Sequence, residues 1–177
     1  LYDNALLPEG FASRPFDDEG TPSQSTEVIR EGVLLTYLHN QYTARKDGVR
    51  STGNAARGSI KAAVEVAPSN FYLSPGDRTL EELMATAGSG VFIVELDGLH
   101  SGANPISGDF SLGAQGYLFD AGGIRQPVHN FTVAGNFFQM LKEIVGLGSD
   151  LEFSPPAGGT AIGSPSILVS QMALSGK

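Results

Sequence analysis

The chain has 177 residues, a formal charge of −8, a pI near 4.7 and no cysteine. That length supports one domain with a sizeable core, and the acidic balance argues against a phosphate-backbone partner, which needs clustered Lys and Arg. The missing thiols exclude disulfides, a thiol nucleophile and a thiolate metal site, and no apolar run reaches the ~18 residues needed to span a bilayer.

The opening at Leu1 rather than Met reads as a C-terminal piece of a longer protein, with a single domain expected over residues 1–177. Residues 1–24 carry Pro8, Pro15 and Pro22 and read as an extended, irregular lead-in. Glu27–Arg30 and Val33–Leu38 flank Glu31-Gly32 and predict a β-hairpin. Gln41 to Asp47 reads as a short helix stopped by Gly48. Ala62 to Val66 and Asn70 to Leu73 read as strands broken by Pro68. Thr79 and Glu82 have capping-box spacing, which predicts a helix running to about Ala87 and ending at Gly88.

Val91 to Leu96 is dense in apolar residues and reads as a buried strand. A loop from Asp97 to Gly108 follows, and residues 109–119 and 124–133 read as antiparallel strands around Asp120 to Gly123. Asn136 caps a predicted helix from about Phe137 to Val145, with Phe137, Met140, Leu141 and Ile144 on one face. Leu151 to Phe153 reads as a strand, Pro155 to Gly163 as a flexible loop and Ser166 to Val169 as the final strand. The sum is an α+β, β-rich domain with antiparallel sheets and two or three short helices.

The residues supply no self-sufficient catalytic or metal constellation. Gly88-Ser89-Gly90 and Gly113 to Gly116 match neither GxGxxG opening a helix nor the Walker pattern. Neither HExxH nor HExxxH occurs, and there is no GxSxG nucleophile elbow. His39 and His129 read as partly buried polar residues, and Asp17-Asp18-Glu19-Gly20 as a turn with solvated carboxylates or backbone caps. The loop residues His100, Ser101 and Asn104, with Asp109 and Ser111 at the start of the next strand, are the candidate peptide-binding or interface positions. A β-rich domain can also accept an extended peptide by strand addition.

Several blocks occur together in order. They are Phe16-Asp17-Asp18-Glu19-Gly20-Thr21-Pro22, Ser51-Thr52-Gly53-Asn54-Ala55 and Asn70-Phe71-Tyr72-Leu73-Ser74-Pro75-Gly76-Asp77. Further on come Gly108 to Ala114, Val133-Ala134-Gly135-Asn136 and Val145 to Leu151. This ordered set resembles the C-terminal domain of the TldD/PmbA family, formerly called modulators of DNA gyrase, over nearly the whole chain. The resemblance implies two kinds of subunit. The TldD kind holds zinc through HExxxH on a helix upstream of the FDDEG-like block and a Cys near its C-terminus. The PmbA (TldE) kind lacks these ligands and pairs with a TldD subunit in a metallopeptidase acting on unfolded peptides.

This chain looks like the PmbA kind, because Pro155-Pro156-Ala157-Gly158-Gly159-Thr160-Ala161 stands where the Cys would be presented. The resemblance therefore implies no catalytic or metal residues in this chain and zinc in a TldD-like partner. It also implies a cytoplasmic hetero- or homodimer working on extended peptides, with no direct nucleic-acid and no membrane partner. Two rival readings are a homodimeric peptidase with its metal helix upstream and a non-enzymatic interaction domain that modulates DNA gyrase indirectly.

Overall fold

Side-chain amides and carboxylates organise the first part of this fold, because its strands are too short to satisfy one another. The computed structural model describes residues 1–121 and 123–176. In chain order the strands are β1 (Tyr2–Asn4), β2 (Ser25–Glu27), β3 (Ile29–Arg30), β4 (Val33–Leu34), β5 (Ala55–Ala56), β6 (Glu65–Val66), β7 (Asn70–Tyr72), β8 (Ser89–Asp97), β9 (Asp109–Asp120), β10 (Gly123–Asn136), β11 (Ile144–Leu147), β12 (Glu152–Phe153), β13 (Ala161–Ser164), β14 (Ile167–Val169) and β15 (Ala173–Ser175). The helices are α1 (Gln41–Asp47), α2 (Leu80–Ala87), α3 (Leu99–Gly102) and α4 (Phe137–Lys142). The described residues are thus strand-rich with several antiparallel sheets and four short helices, compatible with the α+β class. They form two compact units, Leu1–Ser74 with Leu151–Ser164, and Pro75–Asp150 with the chain from Pro165 onward.

In the first unit a five-stranded sheet runs β12-β13-β7-β1-β2, antiparallel except for the parallel pair β13 and β7. The supposed lead-in therefore supplies β1, next to the sheet's centre, because Tyr2–Asn4 finds partners in residues 25–27 and 71–72. The supposed Pro/Gly loop 155–163 likewise ends in β13, whose Ala161 is fully buried.

Asp3 is the inward residue of β1. Its carboxylate accepts hydrogen bonds from Asn54 Nδ2 at 2.5 Å, Ser69 N at 2.6 Å and Ser69 Oγ at 3.0 Å. Asp17 is equally buried and accepts from the backbone N–H groups of Glu19, Thr21 and Ala55. The acidic turn is thus only partly solvated: Asp17 turns inward as a backbone cap, while Asp18 and Glu19 face water. Asn70 donates to the Asn4 carbonyl and Ser13 Oγ and accepts from Ala12 N. Buried polar groups persist only when satisfied in this way.

The hairpin β3–β4 forms around the expected turn, with Glu31 and Gly32 at φ 48° and 78°, the twist that suits a two-residue turn, but it is shorter than expected: Glu27 belongs to β2 and β4 ends at Leu34 rather than Leu38. Helix α1 starts on a capping box made by Asn40 and Thr43.

The second unit is built on a four-stranded sheet, β15-β10-β9-β8. Leu112, Ala114 and Val133 form its buried cluster, with Ile93, Phe110, Phe131 and Met172 packed against them. The predicted capping box of α2 is present, Thr79 and Glu82 exchanging bonds, and the helix buries Leu83 and Met84. Gly122 of the β9–β10 turn lies outside the described residues.

Three expectations change here. β8 is an edge strand with Val94 55% and Leu96 42% exposed, so it is not a buried one. Helix α4 stops at Lys142, because Ile144–Leu147 leave it to pair with Ile167–Val169. β15 follows the strand read as final, pairing Thr132–Ala134 with Ala173–Ser175.

Two irregularities flank one rung of β9: β8 bulges between Ile93 and Glu95, and β10 between Val128 and Phe131. Both sit against Gln115-Gly116. A Cβ on Gly116 would lie 2.0 Å from the Phe92 carbonyl oxygen, so glycine is the residue that admits this approach.

Removing the Asp3 carboxylate orphans three buried donors, each costing about 1–3 kcal/mol. Asp3→Ala is expected to lower unfolding stability by about 3 kcal/mol in urea titrations. Asp18→Ala, which removes an exposed acceptor of Arg57 N, should stay within about 1 kcal/mol. In the same assay Gly116→Ala should lose about 1–3 kcal/mol through overpacking. Gly58→Ala, where an added Cβ meets nothing within 4 Å, should be near neutral.

Candidate functional site

All five sequence-derived candidates fall in the second unit. The segment read as a loop folds into α3 and a turn. Gly98 at φ 82° opens α3, and Ala103 bridges to Phe110 as the chain doubles back onto β9.

Asn104 and Asp109 are brought together. Asn104 N donates to the Asp109 carbonyl at 2.8 Å, and the Asn104 side-chain oxygen accepts from Ile106 N and Ser107 N. Asp109 Oδ1 accepts from Asn136 Nδ2 at 2.9 Å, and its own N–H meets Ser107 Oγ. These contacts, the Asn136 amide first and then the Ser107 hydroxyl, hold the Asp109 carboxyl below the usual carboxylate range. Ser111 stands two residues on, on the same face of β9, paired with Ala134.

His100 and Ser101 do not join this group. Ser101 donates to the Gly98 carbonyl within its own turn, and His100 is exposed on α3.

Sequence reasoning found Asn136 only as a helix cap. Its Oδ1 does accept from Phe138 N and Gln139 N, but its Nδ2 also ties Asp109 and the Ser107 carbonyl to the start of α4. An exposed apolar rim lies alongside: Ile106 is 91% exposed, and Phe137 and Phe138 meet edge-on at 6.0 Å.

Among the described residues no three His, Cys, Asp or Glu side chains gather where they could hold a metal ion. His39 is buried in the first unit with Nδ1 3.2 Å from Thr43 Oγ1. His129 is exposed rather than partly buried, with Nδ1 3.2 Å from Gln115 Oε1. Among the described residues no helix is long and apolar enough to cross a membrane.

Residues 1–176 match the family described as the PmbA/TldA metallopeptidase C-terminal domain. The chain belongs to that family. It is 35% identical over 152 residues to metalloprotease PmbA of Escherichia coli O157:H7, an alignment covering 86% of this chain and 31% of that protein. A crystal structure from Thermotoga maritima MSB8, solved under the name of a DNA gyrase modulator, superposes with a TM-score of 0.85 at 41% identity. It covers 98% of this chain, which in turn covers 38% of it. TldE of Thermococcus kodakarensis has the same fold, with a TM-score of 0.85 at 23% identity over 99% of this chain and 39% of that one. The PmbA/TldD-family chain described here spans about a third of the length of the curated relatives it matches.

The Asp109 carboxylate gives a pH test. Its pKa is depressed in the folded state, so its contribution to stability is complete above the ordinary carboxylate value and is lost as pH falls through the lower folded value. Asn136→Ala is expected to return the Asp109 resonance in a side-chain NMR titration toward the ordinary value. It should also remove the acid-side stability increment. An unchanged titration midpoint would contradict this assignment of cause.

Proposed function

We propose that this chain is the C-terminal domain of a non-catalytic, PmbA/TldE-like subunit. It would pair with a zinc-bearing TldD-like partner in a cytoplasmic peptidase that processes unfolded peptides. The observation that carries the reading is the donor set of the chain. Its sequence has no cysteine and three histidines, and none of the described histidines lies with two further metal-ligating side chains. A hydrolytic zinc site takes three protein ligands and one open position, and these residues do not fit it. Zinc chemistry would then belong to the partner, and this chain would contribute peptide-facing and subunit-facing surface. The loop residues His100, Ser101 and Asn104, with Asp109 and Ser111, are the positions proposed for that surface.

A second reading is favoured by the name of the Escherichia coli relative, a metalloprotease. In it the whole protein is a homodimeric peptidase whose metal ligands lie outside residues 1–177.

Size-exclusion chromatography with light scattering on the full-length protein, alone and mixed with the TldD-like paralogue, separates the two. The first reading expects a 1:1 complex, with zinc found by elemental analysis in the paralogue only. A zinc-loaded homo-oligomer that ignores the paralogue would replace it with the second.

A further inference from the structure

The four-stranded sheet has two faces, and its register fixes what each presents. Opposite the Leu112–Ala114–Val133 core, Ser111 pairs with Ala134 and Ala134 with Ala173, while Gly113 pairs with Thr132 and Thr132 with Ser175. None of these six residues is buried, and none is larger than threonine. They give β9, β10 and β15 a floor of small side chains.

Carboxylates stand along it. Asp97 lies beside Gly113, Glu95 beside Gln115, and Asp109 beside Asn136. All three are exposed, and they take part in neither of the ion pairs among the described residues. Among the described residues the rungs from Asp109 to Gln115 contain no Lys or Arg, and His129, hydrogen-bonded to Gln115, is the one imidazole there. From Asp109 to Gln115 the face runs about 20 Å, the reach of six extended residues.

We infer that this face docks a cationic peptide segment in extended form, its backbone over the small-residue floor and its Lys or Arg side chains on Glu95, Asp97 and Asp109. The inference rests on the peptide-handling reading above and narrows it to a substrate class. Among the described residues of this face no Lys or Arg competes for the three carboxylates. The carboxylates remain at a hydrated rim, where opposite charges steer association and set its salt dependence without a large desolvation cost.

The test is fluorescence anisotropy on the purified full-length protein with three labelled, unstructured peptides of one length, bearing Lys/Arg, Gln or Glu at the same positions. The Lys/Arg peptide is expected to bind tightest and to weaken as salt rises. Glu95→Gln/Asp97→Asn should raise its Kd about fivefold, with the melting temperature unchanged. Glu31→Gln/Glu65→Gln makes the same change in net charge at exposed positions of the first unit, and should leave Kd within about twofold. Equal binding of all three peptides, or equal loss in both double variants, overturns the inference and leaves the peptide-handling reading standing. Binding of none of the three overturns both.

Discussion

A carboxylate enclosed by protein with no cation against it must draw its stabilisation from N–H and O–H dipoles. Among the described residues no cation pairs with Asp3 or Asp17, and the first unit is arranged around the donors they need. Asp3 joins residues 51 and 66 positions away, and Asp17 reaches one 38 positions away, so each carboxylate is a cross-link between segments with little regular pairing. Strands of two to four residues cannot satisfy their own backbones. Asn54 and Asn70 extend the same solution, each carrying donor and acceptor on one fully buried side chain. The first unit thus relies on a polar interior, whereas the second has an apolar one centred on Leu112 and Val133.

This division explains which parts of the fold were legible in sequence. Structure encoded within a few residues was readable: the Thr79–Glu82 cap, the Glu31-Gly32 turn and the α1 stop at Gly48 all rest on local geometry. Structure that depends on a distant partner was not. Tyr2–Asn4 has no strand signature of its own and is a strand because β2 and β7 hold it. Ala161–Ser164 looked like the end of a flexible loop for the same reason. Val91–Leu96 misled in the opposite sense: its apolar density fits burial, but at a sheet edge with a bulge it leaves Val94 in solvent. The candidate site divides along the same line. Asn104 and Asp109 were candidates by residue type in and beside a polar loop, while the bond from Asn136 to Asp109 spans 27 positions and has no local signal.

Family membership adds a constraint that the fold alone does not. The same architecture occurs in a relative bearing the TldE name and in one named for DNA gyrase, and function has to be argued from the residues the fold carries. In this chain the histidines are dispersed: one is locked beside a threonine, one lies on a short surface helix and one is tied to a glutamine.

The paired bulges around Gln115-Gly116 have a bearing on how the second unit reaches its structure. Strand pairing has a period of two, so sliding β10 by one residue along β9 would exchange the faces of β10. Val133 would then meet water, and Thr132 and Ala134 would turn toward Leu112 and Ala114 in its place. A bulge on each side of one rung gives the folding chain a keyed position, with extra residues of both neighbouring strands set against Gln115, and β10 carries a further irregularity between Ile124 and Gln126. The close approach of Gly116 to the Phe92 carbonyl, which leaves no room for a side chain, lies at this keyed position and favours the hairpin that is in step.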